Sequence, residues 1–391
     1  MLIAILPYLS LATLIAQASS SGIHNEQYRL SADNTHKKCS EDATPVEPLA
    51  TTTQKPTTRE MWFLSQANGV RLDQTGAFAY DESAGAGSLV YVVDTGADLS
   101  HPEFDNVRGL AEWLYPGNVH EPGDSTGHGT KMLSKITGKL FGASKRVRPV
   151  IVRVPTGVEY EEWVTAVRAV RDDYRTKIAN GWDRRKPAIV SMSFAISPAN
   201  LSQRRINEFE TYLNEMVNDG LFPITGSGNF GGRDPGRYVS EYPALFGDPL
   251  STRFVNGLLV VGGVKTDGTQ SDSGKIAPFV VVNAPSERIC VPNHRWTQPN
   301  AVRYTFGTGT SEAAATTAGL AAYLIQVPAL QDALQLNNRT ATARDKVIAL
   351  KHYIEDTSFP RGALTPRAIW NSQKFKPFMP DLKEFDCEMD G

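Results

Sequence analysis

The sequence is short of cysteine and of net charge. Its 391 residues hold three cysteines, and 40 Lys and Arg set against 42 Asp and Glu leave a net charge of −2. So even a balance gives no global electrostatic footprint for nucleic acid or for an anionic membrane. Three cysteines allow one disulfide with one thiol left over. In an exported chain the expected pair is Cys290 with Cys387, because both lie in the expected folded region and Cys39 does not. Beyond the first eighteen residues there is no long hydrophobic run, so no stable membrane anchor is expected. Internal repeats are absent. Acids such as Asp98, Asp234 and Asp267 are scattered without an EF-hand or similar spacing, so no metal ligands are assigned.

What is present begins with the apolar run of residues 1–18, which ends Ala16-Gln17-Ala18. That reads as a signal peptide with an A-x-A cleavage site, although its start carries no Lys or Arg. Pro7 and the shortness of the run argue against an uncleaved anchor. Asn200-Leu-Ser and Asn338-Arg-Thr are N-glycosylation sequons, in keeping with export. Residues 19–59 are polar and Thr/Pro-rich, and are expected to be a linker or a short pro-segment. The globular pattern occupies 60–375 and leaves 376–391 as a tail.

Short continuous apolar runs occur at 88–94, 147–154, 187–194, 221–228, 257–264 and 277–285. Runs of this kind suit strands buried on both faces of a parallel sheet. Between them, 159–181 carries Trp163, Val167, Val170 and Tyr174 on one helical stripe and stops at Gly181. Segments 202–220 and 341–357 read as further helices. Strands alternating with such helices predict an α/β domain: a mostly parallel sheet covered by helices on both faces. In these sheets, chemistry gathers at the carboxyl ends of the strands.

Three strand-end signals stand out. Asp94 closes one strand ahead of a Thr-Gly turn; taken alone it is equally an Asx-turn residue. His128 sits between two glycines before a helix-compatible segment, the only histidine so cradled. Ser311, in "GTGTSEAAATTAGLAAYL", would sit at a helix N-terminus, where free N–H groups and the helix dipole favour negative charge. A plain N-cap role for Ser311 or Thr310 fits the same residues. Together the three supply a nucleophile, a base and an orienting acid. Asn229, after Gly-Ser-Gly, has an amide able to donate to an oxyanion, with the Ser311 N–H as second donor; it is otherwise an ordinary turn residue.

At "YDESAGAGSLVYVVDTGADLSHPEF" (80–104), "GHGT" and "GTS…AGLAAYL" the sequence resembles the subtilisin-like serine peptidases, the subtilases, and their proteinase K-like branch in particular. The resemblance implies a three-layer subtilisin-like fold and a monomeric secreted endopeptidase, with Asp94, His128 and Ser311 as triad and Asn229 completing the oxyanion hole. It also implies that polypeptide substrates bind in extended conformation along Ser193, Phe194 and Ala195, with Gly226, Ser227 and Gly228 on the other side of the pocket. No cofactor is expected; structural calcium is common in such proteins.

The sequence also departs from that pattern. Glu312 and Ala315 stand where Met and Pro are usual, Lys131 replaces a His, and Ala195 replaces a Gly. Glu312 has two readings: it stabilises the His128 imidazolium, or it disfavours acidic residues just past the scissile bond. No folded inhibitory propeptide is readable ahead of residue 60. These departures leave a second reading, a catalytically weak or inactive binding protein on the same fold; an esterase or peptide ligase using the same triad is a third. A sedolisin would need Glu in place of His128, and an α/β-hydrolase would order its triad Ser, Asp, His.

Overall fold

The six apolar runs become six adjacent inner strands of one sheet. A computed structural model of the chain describes residues 51–230, 236–373 and 384–387, all within one unit, Pro48–Gly391. Its strands are β1 Thr51–Gln54, β2 Phe78–Asp81, β3 Leu89–Asp94, β4 Glu112–Leu114, β5 Arg148–Arg153, β6 Ala188–Met192, β7 Leu221–Gly226, β8 Leu259–Val264, β9 Val282–Pro285, β10 Ile289–Pro292, β11 Tyr304–Gly307, β12 Phe359–Pro360 and β13 Arg367–Ala368. The helices are α1 Arg59–Ser65, α2 His128–Thr137, α3 Glu161–Ala179, α4 Gln203–Asp219, α5 Thr310–Leu324 and α6 Ala343–Thr357.

Nine strands form the main sheet, in the order β12-β13-β9-β8-β7-β6-β3-β5-β4. Every pairing in it is parallel except β12 with β13. All six residues of β3 and all six of β8 are buried, which explains their unbroken apolar pattern. Helices α2 and α5 pack together on the sheet, while α3, α4 and α6 pack as a second set, giving the three-layer α/β architecture. The stripe expected on α3 faces inward: Val167, Val170 and Tyr174 are fully buried and Trp163 packs at a tilt against Phe194. Ser202 caps α4, accepting from the Arg205 N–H at 3.4 Å, and Gly220 ends it at φ +101°, where a side chain would strain the turn.

The sheet order carries the functional consequence. From β3 the chain builds β4 and β5 on one side, then crosses to β6 and continues outward on the other. The order reverses at β3, and the crevice of such a sheet opens beyond the carboxyl end of the strand at that point. Asp94 is the last residue of β3.

Two antiparallel pairs lie outside the sheet, β1 with β2 and β10 with β11. Thr51–Gln54, within the segment expected to be a linker, pairs along β2; threonine's β-branched side chain suits a strand once a partner edge exists. Part of the expected tail is fastened as well. Phe385 N–H donates to Thr57 O at 3.1 Å, Glu384 pairs with Arg59, and Cys387 is disulfide-bonded to Cys290 of β10. The apolar run of 1–18 and Cys39 lie outside the described residues.

Candidate active site

Asp94 is 1% exposed, and its Oδ1 accepts from the Thr95 N–H (2.8 Å) and from His128 Nδ1 (2.7 Å). An acceptor-only carboxylate at Nδ1 fixes the imidazole tautomer, leaving Nε2 with its lone pair free to take a proton. His128 opens α2, and the αL conformation of Gly127 (φ +77°) turns the chain into that helix. A Cβ on Gly129 would lie 2.1 Å from Gly96 O, so only glycine lets α2 come this close to the Asp94 turn. The Asp94 charge pushes His128 up to about 9 against the opposing effect of burial, and Glu312 and Asp124 add to the rise.

The sequence reading missed Asp124. Its Oδ1 accepts from Thr95 Oγ1 (2.8 Å) and Gly127 N–H (2.9 Å), and its Oδ2 from the Thr130 N–H (2.8 Å) and Oγ1 (2.7 Å). Asp124 therefore caps the first turn of α2 and ties it to the residue after Asp94. Burial pushes its pKa up, but these hydrogen bonds outweigh burial and hold it below the usual carboxylate range. The available signal was an acid four residues ahead of His128, followed by small hydrogen-bonding residues.

Ser311 lies in the first turn of α5, a helix whose other residues are all buried. Two reciprocal bonds join it to the end of β6: Ser193 Oγ donates to Ser311 O (3.0 Å) and Ser311 Oγ donates to Ser193 O (3.3 Å). The Ser311 hydroxyl thus rests on a carbonyl and not on His128. Catalytic hydrogen bonds are often loose before substrate binds.

Asn229 is oriented by Thr310. Its Oδ1 accepts from the Thr310 N–H (2.9 Å) and Oγ1 (3.2 Å), which leaves Nδ2 to donate elsewhere. The residue is exposed, and its amide lines a cavity of about 150 Å³ together with Ser311, Thr310, Ser193, Phe194, Ala195, Gly226 and Gly228. Ser227 faces away from that cavity: its N–H donates to Val261 O and its Oγ to Lys275 O. A larger cavity, about 680 Å³, lies beside the disulfide among Arg59, Glu60, Glu287, Arg288 and Phe385 and contains none of the candidate residues.

Glu312 is 5% exposed. Its carboxyl lies against two glycines, where Cβ atoms on Gly307 and Gly309 would fall 2.5 and 3.0 Å from its oxygens. Burial pushes its pKa up, opposed by His128, Lys131 and Lys135. Among the described residues no group of three or more His, Cys, Asp or Glu is arranged to hold a metal ion, and no helix is long and apolar enough to cross a membrane.

Curated relatives match the chain at modest identity. A subtilisin-like protease of Coccidioides posadasii (strain C735) is 27% identical over 67% of this chain and 57% of its own length, and a second from the same strain is 31% identical over 63% and 54%. Subtilisin-like protease 2 of Trichophyton verrucosum is 27% identical over 76% and 63%. The chain thus spans between 54% and 63% of the length of these relatives. The crystal structure of a cold adapted subtilisin-like serine proteinase superimposes with a TM-score of 0.58 at 20% identity, over 81% of this chain and 98% of that one, a likeness of fold. The description "Peptidase_S8: Subtilase family" matches residues 85–374, most of the chain and a span within which Asp94, His128, Asn229 and Ser311 lie, and the protein belongs to that family.

Proposed function

We propose that this protein is a secreted serine endopeptidase that cleaves extended polypeptides through an acyl-enzyme. The observation that carries the reading is the 2.7 Å bond from His128 Nδ1 to buried Asp94 at the mouth of α2, which is bonding that prepares a general base. Ser311 Oγ attacks the peptide carbonyl carbon as His128 Nε2 takes the hydroxyl proton. The oxyanion accepts from Asn229 Nδ2 and from the Ser311 N–H at the start of α5. Collapse breaks the C–N bond, and His128 returns the proton to the leaving amine. Water then repeats the sequence on the ester and frees Ser311.

Ser193, Phe194 and Ala195, beyond β6, line the cavity together with Gly226 and Gly228, and this segment suits main-chain pairing with an extended substrate. Export is supported by the apolar run at 1–18 and the Cys290–Cys387 disulfide. Asn200 and Asn338 are both exposed, as glycan acceptors must be. Monomeric action is proposed, and calcium is left without assigned ligands.

A fluorophosphonate probe is expected to label the secreted protein at Ser311, and Ser311→Ala should abolish both labelling and casein cleavage. The bond from Ser311 Oγ to Ser193 O favours one competing reading, an inactive binding protein, in which a folded wild type stays unlabelled at every pH.

A further inference from the structure

The connection between β10 and β11, residues 293–303, has no part in the proposed mechanism, yet it is built against the base. Both of its ends are pinned. His101 Nδ1 accepts from the Glu103 N–H (3.1 Å), so its Nε2 carries the proton and donates to Arg303 O (3.0 Å). Trp296 Nε1 donates to Asp98 Oδ2 (3.0 Å), and its ring meets His101 edge-on at 5.0 Å. Asp98 is joined in turn to α2, its N–H donating to Thr130 Oγ1 (2.9 Å). Inside the connection, Asn293 Oδ1 accepts from the Arg295 N–H (3.0 Å) and Asn293 Nδ2 donates to Val302 O (2.8 Å). This framework seats His294 on Gly127, where a Cβ would collide with the Cβ and Cγ of His294. Gly127 is the residue before His128.

His294 and Arg295 are both exposed, and Arg295 Nε donates to His294 Nε2 (3.2 Å). An imidazole that accepts at Nε2 is neutral, so the positive charge here belongs to Arg295. The bond uses Nε and leaves the two terminal nitrogens, a planar fork that matches a carboxylate. Among the described residues Arg295 forms no ion pair, whereas Arg108, Arg171 and Arg205 are closed by neighbouring acids. The acids close by are already occupied: Asp98 by Trp296 and the Ser100 N–H (3.0 Å), and Asp124 by Thr95, Gly127 and Thr130. Ser311 divides the site. The cavity lies toward β6 and β7, and no residue of 293–303 lines it. The connection lies on the other side, with β10 packed on α2 and β11 running into α5. With the acyl half in the cavity and the leaving amine taking its proton from His128, the departing chain runs past His128 toward Arg295.

We propose that Arg295 is a specificity-determining residue that receives an acidic side chain two or three residues beyond the scissile bond, with His294 as the positioning residue that aims its guanidinium. The inference rests on the endopeptidase reading, which fixes the direction of the substrate. The first residue past the bond faces His128. Arg295 stands one side chain further out, beyond His294, a step that an extended chain covers in one or two residues at roughly 3.3 Å each. The pair is open to water, so it sorts substrates by a small factor that salt weakens.

Internally quenched peptides with Asp or Asn at each of the first four positions beyond one fixed bond measure the preference, as the ratio of kcat/KM for Asp over Asn at low and high salt. Wild type should favour Asp by roughly two- to fivefold at the second or third position, and less in high salt. Arg295→Ala should remove the preference and Arg295→Glu should invert it. His294→Ala should reduce it, and His294→Gln, which keeps an acceptor, should retain it; thermal midpoints check that each chain is folded. The same Asp and Asn pair placed three residues before the bond should give a ratio that Arg295→Ala leaves alone. Fluorescein-labelled peptides are also titrated onto Ser311→Ala, with and without Arg295→Ala, by fluorescence anisotropy. A wild type indifferent to Asp at every position, a preference that survives Arg295→Ala, or one that depends on Arg295 only before the bond overturns the proposal. A folded wild type that neither cuts these peptides nor labels with fluorophosphonate refutes the endopeptidase reading instead, and the anisotropy titration still decides the role of Arg295.

Discussion

Gly319→Ala tests whether the α2–α5 contact positions the site. Gly319 lies a little over two turns beyond Ser311, and its neighbour Ile136 lies equally far beyond His128. A Cβ on Gly319 would fall 2.5 Å from Ile136 O and 2.9 Å from Ile136 Cα. Ordinary contact between carbon and oxygen needs about 3.4 Å, so the helices must part by roughly 1 Å. The obstacle is main chain whose carbonyl also accepts from the Ser144 N–H at 3.0 Å, so it has no rotamer to escape into. Overpacking of this kind costs about 1–3 kcal/mol, and the better helix propensity of alanine returns about 1 kcal/mol. The net loss of roughly 0–2 kcal/mol implies a Tm lower by no more than a few degrees. Activity should suffer more, because separating α2 from α5 separates His128 from Ser311, and a displacement of about 1 Å between reacting groups costs on the order of 100-fold. Thermal unfolding and the rate of fluorophosphonate labelling measure the two effects on one sample. If Gly319→Ala raises Tm by the propensity gain and labels at the wild-type rate, the contact does not hold the site together.

Asp94→Asn should lower peptide cleavage by about 10³–10⁴-fold, since it loses both the tautomer-fixing acceptor and the main charge on His128. Its residual activity should shift toward lower pH, because His128, two-fifths exposed and so partly screened, falls from about 9 toward its ordinary range; a limb that stays in place or moves upward contradicts the assignment of the acid. Asp124→Ala removes the cap of α2 and should cost about 1–2 kcal/mol in urea unfolding at neutral pH. The folded-state pKa of Asp124 is depressed, so its stabilisation is present above the usual carboxylate pKa and is lost as pH falls through the folded value; the two proteins should therefore converge in acid, and a gap that persists there counts against the capping role.

The inner sheet was legible because burial on both faces writes itself as continuous apolar runs, and each such run became a strand. The long helices α3, α4 and α6 were legible for the same reason at a period of 3.6. β12 and β13 were not, since two residues each carry no period to read, and β10 and β11 are separated by a long connection rich in polar residues. The candidate chemistry was readable as residue types at strand ends. Its supports were not, because Asp124 acts by joining its own local turn, through Gly127 and Thr130, to Thr95 from a distant part of the chain, and Asx-type acids in loops look alike in sequence. The Thr-rich β1 illustrates the converse case, where composition argued for a linker and a partner edge supplied the hydrogen bonds that composition cannot foresee.

Ser311 has two readings, helix cap and nucleophile, and its hydrogen bonds bear on the first. A cap serves its own helix, and its side chain would bond a nearby N–H of α5. In the structure, the hydroxyl of Ser311 turns away from α5 to the carbonyl of Ser193, and the N-cap position belongs to Gly309, which makes no side-chain bond. Ser311 therefore takes up no N–H of the first turn of α5, where the Thr310 N–H donates to Asn229 Oδ1 beside the cavity. Thr310 adds to this, because it is drawn outward by Asn229 Oδ1 and by the Gly228 N–H at 3.1 Å. A helix that needed only to end would not leave its positive end open next to an amide whose donor is free. The small residues of α5 are needed where Gly319 meets Ile136, so that the open end is held rigidly against His128 on the neighbouring helix.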